Sequence, residues 1–205
     1  TERCRRLASA LVKRGIGRGD TVAIIAPNTP AIFEAHFGVA MAGAVLNTLN
    51  TRLDISTIAY ILDHADTKIL ISDTAFSATM REAMEQSPNK SLTVIDIVDE
   101  QDADSAAGQR LGEIDYENFI AGGDADYAWQ MPTDEWAAMA LNYTSGTSGK
   151  PKGVMLSHGA IIHNCEAAFE LLRGIRILNE KFLSFLPLSH SYERMAGLYF
   201  PFSIG

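Results

Sequence analysis

The stretch YTSGTSGKPKGVMLSHG, residues 143–159, combines small hydroxyl residues and glycines with two lysines. Glycine lets the backbone approach an anion closely, and hydroxyl and backbone N–H groups donate to its oxygens. Lys150 and Lys152 add positive charge near neutral pH. Apolar residues at 136–141 and 154–156 flank the stretch, which indicates a turn between two strands. The sequence therefore predicts a phosphate-binding loop within an α/β fold.

Two other interpretations of this stretch are less favoured. A Walker phosphate loop needs Gly, four residues, then Gly-Lys and a hydroxyl residue. Here Thr144 stands in place of the first glycine, and Pro151 follows Lys150 where the hydroxyl should be. A flexible linker is also made of Gly, Ser and Thr. A linker, however, has no reason to be short, flanked by strands and completed by two lysines.

Composition limits the classes of partner. The chain has 205 residues, 47% hydrophobic content, a net charge of −8 and a pI near 5.1, which argues against nucleic acid or an anionic membrane as a bulk partner. The most apolar stretch, residues 37–46, is about half of a membrane span, so we expect at most peripheral membrane contact. Cys4 and Cys165 have no metal or redox spacing, and a reduced, cytoplasmic setting is expected. Oligomeric state is not predicted.

Strand and helix patterns alternate along the chain, which predicts βαβ units and a largely parallel sheet. The predicted helices cover residues 1–14, 30–43, 55–64, 74–86, 161–173 and 192 onward. The predicted strands cover residues 22–26, 44–47, 68–72, 92–98 and 182–186, besides the two that flank the loop.

Residues 99–123 interrupt this alternation, being acidic and poor in apolar periodicity apart from a short helix near residues 116–120. A solvated connection is favoured over an acidic metal site, because scattered acidic residues converge only by accident. A subdomain seam is predicted over residues 99–126.

The tryptophans and most of the histidines are assigned structural roles. Trp129 and Trp136 are predicted to anchor the core near the strand that enters the loop. The histidines without partner spacing are predicted to lie on the surface or on helix faces: His36, His64, His158 and His163.

Three segments resemble one family. Residues 143–159 closely resemble the signature loop of the adenylate-forming superfamily, and within it of the acyl-CoA synthetases. Residues 184–197, SFLPLSHSYERMAG, resemble a second motif in its long-chain fatty acyl-CoA synthetase form, and residues 28–73 look like the family's early region. The resemblance implies that residues 1–205 are part of the large N-terminal, AMP-binding domain.

The resemblance implies ATP-dependent activation of a fatty or other carboxylic acid to an acyl-adenylate and then to a coenzyme A thioester, with Mg²⁺ accompanying ATP. Lys150 and Thr144 are the predicted catalytic residues, and Thr144 is also the predicted Mg²⁺ ligand. His190 and Glu193 are predicted to bind the acid, although the helix dipole alone accounts for a carboxylate at Glu193. The predicted phosphate-binding residues are Thr144, Ser145, Gly146, Thr147, Ser148, Gly149, Lys150 and Lys152.

Complete members of this family continue past the second motif with adenine, ribose and magnesium sites and a mobile C-terminal lid domain. These regions cannot be located here, so the chain is expected to be a fragment that is inactive alone. Two alternatives stay open. One is a nucleotide-binding module without chemistry, and the other is an adenylation domain that loads a carrier protein. The sequence of residues 191–197, SYERMAG, argues against the second alternative. Acid chain length is not predicted.

Overall fold

The computed structural model describes residues 1–144, 150–174 and 181–205. Within these residues the strands form a seven-stranded sheet in the order β5-β4-β3-β1-β2-β6-β7. All neighbouring strands are parallel except β6 and β7, which confirms the predicted α/β class. The strands are β1 Thr21–Ile25, β2 Val45–Thr48, β3 Thr67–Asp73, β4 Thr93–Ile97, β5 Ile114–Asp115, β6 Ala138–Thr144 and β7 Lys152–Ser157.

Helices cover both faces of this sheet. Val22 and Ile24 of β1 point into a core shared with α1 and α2, and Ala23 and Ile25 point into a second core under α3 and α4. The helices are α1 Glu2–Lys13, α2 Pro30–Met41, α3 Ile55–His64, α4 Ser77–Gln86, α5 Ala103–Ala107, α6 Tyr116–Ala121 and α7 His158–Leu172. A last helical run contains α8 Ser191–Glu193, a π-helical segment Arg194–Tyr199 and α9 Phe200–Ile204.

The strand predicted over residues 182–186 is wrong. Residues 181–186 are irregular, and Phe182, Leu183 and Phe185 are exposed. A short apolar run has the same pattern in a strand and in a loop, and only a neighbouring strand can pair its backbone. None of the described strands pairs with this segment.

The prediction that both tryptophans anchor the core is also wrong. Trp129 is 36% exposed and Trp136 is 68% exposed. Both precede β6, which begins only at Ala138, so their backbone is not yet part of the sheet that would bury them.

Residues 99–126 contribute to the fold instead of only connecting two parts of it. They contain α5, α6 and the edge strand β5, which pairs with β4. Tyr116 of α6 is buried and donates a 2.8 Å hydrogen bond to the buried Glu34 carboxylate of α2. Arg3 of α1 donates to the other oxygen of Glu34. The subdomain seam over residues 99–126 stays a prediction.

The connection between β1 and α2 holds the segment that leads to the last helical run. The Asn28 side-chain amide donates to the Leu186 carbonyl at 2.8 Å and accepts from the Leu188 N–H at 2.9 Å. The Thr48 hydroxyl, at the end of β2, donates to the Ser189 carbonyl at 3.3 Å. These bonds place residues 186–189 at the carboxyl ends of β1 and β2.

His36 lies on the buried face of α2, so of the two predicted positions, surface or helix face, the helix face is the one observed. Its side chain is 1% exposed, and Nδ1 lies 2.7 Å from the Ile32 carbonyl oxygen. Its ring packs edge-on against Tyr199 with centroids 6.0 Å apart. Burial lowers the pKa of His36 to about 4, so the ring is neutral at neutral pH.

The described helices include none that is long and apolar enough to cross a bilayer.

Replacement of His36 by Phe should reduce the acid sensitivity of the fold. Unfolded His36 binds a proton near pH 6.5, whereas folded His36 does so only near pH 4. Stability is therefore lost as pH falls through this window, by about 3 kcal/mol in total. Urea unfolding from pH 7 to pH 4.5 should show a shallower loss in His36→Phe than in the wild type. His163→Phe, at an exposed histidine, should keep the wild-type slope, and equal slopes in all three proteins would contradict the prediction.

Replacement of Asn28 by Ala should loosen residues 186–188. Two exposed or half-buried hydrogen bonds are lost, which costs about 1–2 kcal/mol. Amide exchange should show a faster Leu188 N–H. Asn28→Asp keeps the acceptor for that N–H and should give a smaller change. Asn118→Ala, which removes a side-chain bond to the α6 N-cap residue Asp115, should give none. An unchanged Leu188 amide in Asn28→Ala would refute this role.

Candidate phosphate-binding site

The described residues on either side of the predicted loop belong to two paired strands. β6 and β7 pair antiparallel up to Tyr143 opposite Gly153 and Thr144 opposite Lys152, which confirms the predicted strand-loop-strand arrangement. Thr144, Lys150 and Lys152 are described, and all three are exposed. Five predicted phosphate-binding residues lie outside the described residues, namely Ser145, Gly146, Thr147, Ser148 and Gly149.

A cavity of about 340 Å³ lies where the carboxyl ends of β2 and β6 meet. Ligands of open α/β sheets commonly bind at this edge. The cavity brings Thr144 of the loop together with His190 of the second motif, which are far apart in the sequence. Its walls are formed by Asn47, Thr48, Leu49, Asn50, Leu53, Ile61, Asn142, Tyr143, Thr144, Ser189, His190 and Ser191.

The lining suits an anion. None of the lining residues just named carries a carboxylate, although the chain as a whole has a net charge of −8. Hydroxyl and amide groups provide hydrogen-bond donors on several sides of the cavity. A negatively charged protein can therefore accept an anion here without direct repulsion from a wall carboxylate.

The two lysines occupy different positions near the loop end of β6 and β7. Lys152 stands opposite Thr144 across the β6–β7 pair. Lys150 lies two residues before the start of β7, with Nζ 5.6 Å from the centre of the Tyr60 ring of α3. Neither lysine lines the cavity itself.

His190 is exposed and begins the last helical run. Its Nδ1 accepts a 3.2 Å hydrogen bond from the Tyr192 N–H, which caps α8. The neutral ring then carries its hydrogen on Nε2, which can donate to a carboxylate. The geometry is compatible with the predicted binding of the acid by His190.

Glu193 is not brought to this cavity. It is 4% exposed, and a Cβ added at Gly197 would lie 2.3 Å from its Oε1 atom, so the carboxylate packs against its own helical turn. Arg194 is 2% exposed, and burial lowers its pKa. The predicted role of Glu193 in binding the acid stays a prediction.

Sequence reasoning missed two asparagines of the cavity wall. Asn47 of β2 is fully buried, and within the described part of the chain both polar atoms of its amide have no hydrogen-bond partner. The Oδ1 atom of Asn142 is in the same state. An unpaired buried amide is unfavourable, so these groups are suited to bind a ligand. The sequence signal that could have identified Asn47 is a polar side chain within the apolar pattern of a buried strand.

His64 was predicted to have only a surface or helix-face role, yet it contacts the residue that precedes Thr144. Its Nδ1 lies 2.7 Å from the Tyr143 hydroxyl oxygen. The signal that sequence reasoning could have used is the helical spacing of Tyr60 and His64, which puts two polar aromatic rings on one face of α3.

The described residues contain no group of three or more His, Cys, Asp or Glu side chains that could hold a metal ion. Magnesium is commonly bound through substrate phosphates and only one or two protein oxygens. The Thr144 hydroxyl and the neighbouring amide oxygens of the cavity are donors of that kind. The residues therefore fit a Mg²⁺ ion that arrives with a nucleotide, and Thr144 as its ligand stays a prediction.

Comparisons with known proteins identify the family of this chain. The family model described as AMP-binding enzyme matches residues 1–205. The peroxisomal acetate/butyrate–CoA ligase of Arabidopsis thaliana is 49% identical over 170 residues, which cover 78% of this chain and 30% of that protein. The peroxisomal benzoate–CoA ligase of Arabidopsis thaliana is 44% identical over 165 residues, which cover 77% of this chain and 28% of that protein.

A solved structure shows the same fold. The crystal structure of the anthranilate CoA ligase AuaEII in complex with anthranoyl-AMP superposes with a TM-score of 0.82 at 20% identity and covers 100% of this chain and 37% of that one. The chain spans about 30% of the length of its curated relatives.

The names of the relatives correct one expectation. Both ligases are named peroxisomal, so the expected cytoplasmic setting is wrong. Cys4 and Cys165 are indeed free and buried. Free thiols, however, indicate only reducing conditions and do not identify a compartment.

The full-length match to the family model, the identity of 49% to a CoA ligase over most of the chain and the mostly parallel sheet agree with one another. This chain belongs to the AMP-binding enzyme family.

Proposed function

We propose that this chain provides the ATP phosphate-binding part of an AMP-forming acid–CoA ligase. One observation carries the proposal: the cavity at the carboxyl ends of β2 and β6 joins Thr144, at the start of the loop, to His190 of the second motif. An acid-activating enzyme has to bring the phosphates of ATP and the carboxylate of the acid into contact. Two adjacent anion-binding groups at one sheet edge meet that need.

The chemistry has two steps. The carboxylate oxygen attacks the α-phosphorus of ATP, which forms the acyl-adenylate as pyrophosphate leaves with the electron pair of the broken P–O bond. The coenzyme A thiolate then attacks the acyl carbon, and AMP leaves. The first step brings an anion against a triphosphate, so charge neutralisation and alignment dominate its catalysis.

The residues are assigned by the charge that each can stabilise. Lys150 and Lys152 offset the charge of the departing pyrophosphate, while the Nε2–H of His190 orients the carboxylate. Magnesium, held by the phosphates and the Thr144 hydroxyl, supplies further positive charge when bound. The remaining donors to the phosphates are the loop residues Ser145, Gly146, Thr147, Ser148 and Gly149.

The acid is proposed to be short-chain or aromatic. The resemblance of residues 184–197 to the long-chain form favoured a fatty acid, but that stretch reports on the second motif alone. The two relatives act, by their names, on acetate or butyrate and on benzoate. Identities above 40% over most of the chain support a small acid more strongly than one short motif does.

The complete reading frame that contains this chain provides the test of function. Acid-dependent and coenzyme A-dependent release of AMP from Mg·ATP should be measured with acetate, butyrate, benzoate and a long-chain fatty acid. A small acid should give the highest kcat/KM. Absence of AMP release with every acid would refute the ligase proposal, and a preference for the long-chain acid would refute only the proposed acid class.

Replacement of Lys150 by Ala should weaken nucleotide binding by the chain itself. A charge-assisted hydrogen bond contributes about 1.5–3 kcal/mol, so Kd for Mg·ATP should rise about tenfold or more. Isothermal titration calorimetry measures this directly, with Lys152→Ala as a second loop variant. Lys68→Ala removes a half-buried lysine that pairs with Asp66 at the amino end of β3, the opposite edge of the sheet, and should leave Kd unchanged. An equal effect of Lys68→Ala would show that only overall charge matters.

A further inference from the structure

Helix α3 contacts both ends of the predicted phosphate loop. Tyr143 precedes the loop residues 144–149 and Lys150 follows them, and both side chains reach the same face of α3. On that face Tyr60 and His64 are four residues apart, so their side chains lie one helical turn apart.

Tyr143 is held at the first end. Its hydroxyl oxygen lies 2.7 Å from the Nδ1 atom of His64, and the two rings meet edge-on with centroids 5.8 Å apart. The Tyr60 ring also meets Tyr143 edge-on, at 6.4 Å. Burial, and then the nearby Tyr60, raises the pKa of Tyr143 to about 12. The phenol is therefore protonated at neutral pH and able to form this hydrogen bond.

Lys150 is held at the second end. Its Nζ lies 5.6 Å from the centre of the Tyr60 ring, within the range of a cation–π contact. The Tyr60 and His64 rings stack at 5.1 Å with a 31° angle between their planes. The residues at the two ends of the loop therefore contact two adjacent rings of the same helix.

The helix is itself firmly placed. Ile58, Ile61 and Leu62 are buried against the sheet. At its start, Asp54 accepts hydrogen bonds from the Thr57 N–H at 2.9 Å and from the Ser56 hydroxyl at 2.6 Å, an N-cap that satisfies the first turn. Contacts to such an element restrict the positions that Tyr143 and Lys150 can take.

We propose that α3 fixes Tyr143 and Lys150, the described residues on either side of the phosphate loop, with Tyr60 and His64 as positioning residues for nucleotide binding. Ordering the loop ends before the nucleotide arrives lowers the conformational entropy that binding would otherwise cost. Neither residue needs to touch the nucleotide. This inference rests on the proposed function of the loop in ATP binding.

Amide hydrogen exchange of a peptide that covers residues 143–152 tests the ordering without any ligand. His64→Ala, Tyr143→Phe and Tyr60→Leu should each raise exchange in this peptide. Tyr60→Phe keeps the ring under Lys150 and should retain wild-type exchange, and so should His163→Ala, which removes an exposed histidine of α7. Unchanged exchange in the first three variants would overturn the proposal, as would a rise that extends equally to the amides of β1.

Mg·ATP titration by calorimetry tests the consequence for binding. His64→Ala and Tyr143→Phe should each raise Kd about threefold to tenfold, and the double variant should be no worse than the stronger single one, because both remove the same hydrogen bond. Tyr60→Leu should raise Kd and Tyr60→Phe should restore it. Fully additive effects, or unchanged Kd, would overturn the positioning role.

The two readouts separate this inference from the proposed function. A wild-type chain that does not bind Mg·ATP would count against the phosphate-binding function, and the exchange experiment would still decide whether α3 fixes Tyr143 and Lys150. A chain that binds Mg·ATP with wild-type affinity in all α3 variants would leave the function standing and refute the inference.

Discussion

The parallel pairing of β2 with β6 is the constraint on which the candidate site depends. Leu46 pairs with Ala140 and Asn47 with Leu141, although nearly half of the chain separates the two strands. Parallel strands end at the same edge of a sheet, so this register puts the end of β6 beside the end of β2. Thr144 and the Thr48 contact to Ser189 then meet at one cavity.

The chain is acidic overall, yet the residues that line the candidate anion site carry no carboxylate. The net charge is −8, yet the buried carboxylate of Glu34 is bonded to Arg3 and Tyr116 on another part of the molecule. The cavity wall presents neutral amides and hydroxyls instead. Hydrogen-bond donors in a partly enclosed site stabilise an anion more strongly than donors in bulk water do.

Polar residues of strands and helices, and not only those of the loop, prepare the site. Asn28 holds the backbone of residues 186–188, and His64 holds Tyr143. Such residues support the groups that meet the ligand and fix their positions. Their supporting role cannot be recognised from the sequence. Asparagine is common in turns, and histidine is common in the last turn of a helix, whether or not a ligand binds nearby.

Local patterns determined most of the fold. The 3.6-residue and two-residue periodicities identified α1 to α4, α7 and β1 to β4, because burial of one helix face or strand repeats along the chain itself. The composition of residues 143–159 likewise determined the hairpin and the candidate anion site, since glycine, hydroxyl groups and lysine act locally.

Only the tertiary structure decided which distant groups meet. Residues 182–186 have the apolar pattern of a strand but find no partner strand among the described residues, while Trp136 precedes the sheet and stays exposed. His36 and Asn47 are polar, yet packing between α2 and the last helical run, and within the sheet, buries them. The physical reason is the same in each case: pairing and burial depend on neighbours supplied by remote parts of the chain, and periodicity within one segment carries no information about those neighbours.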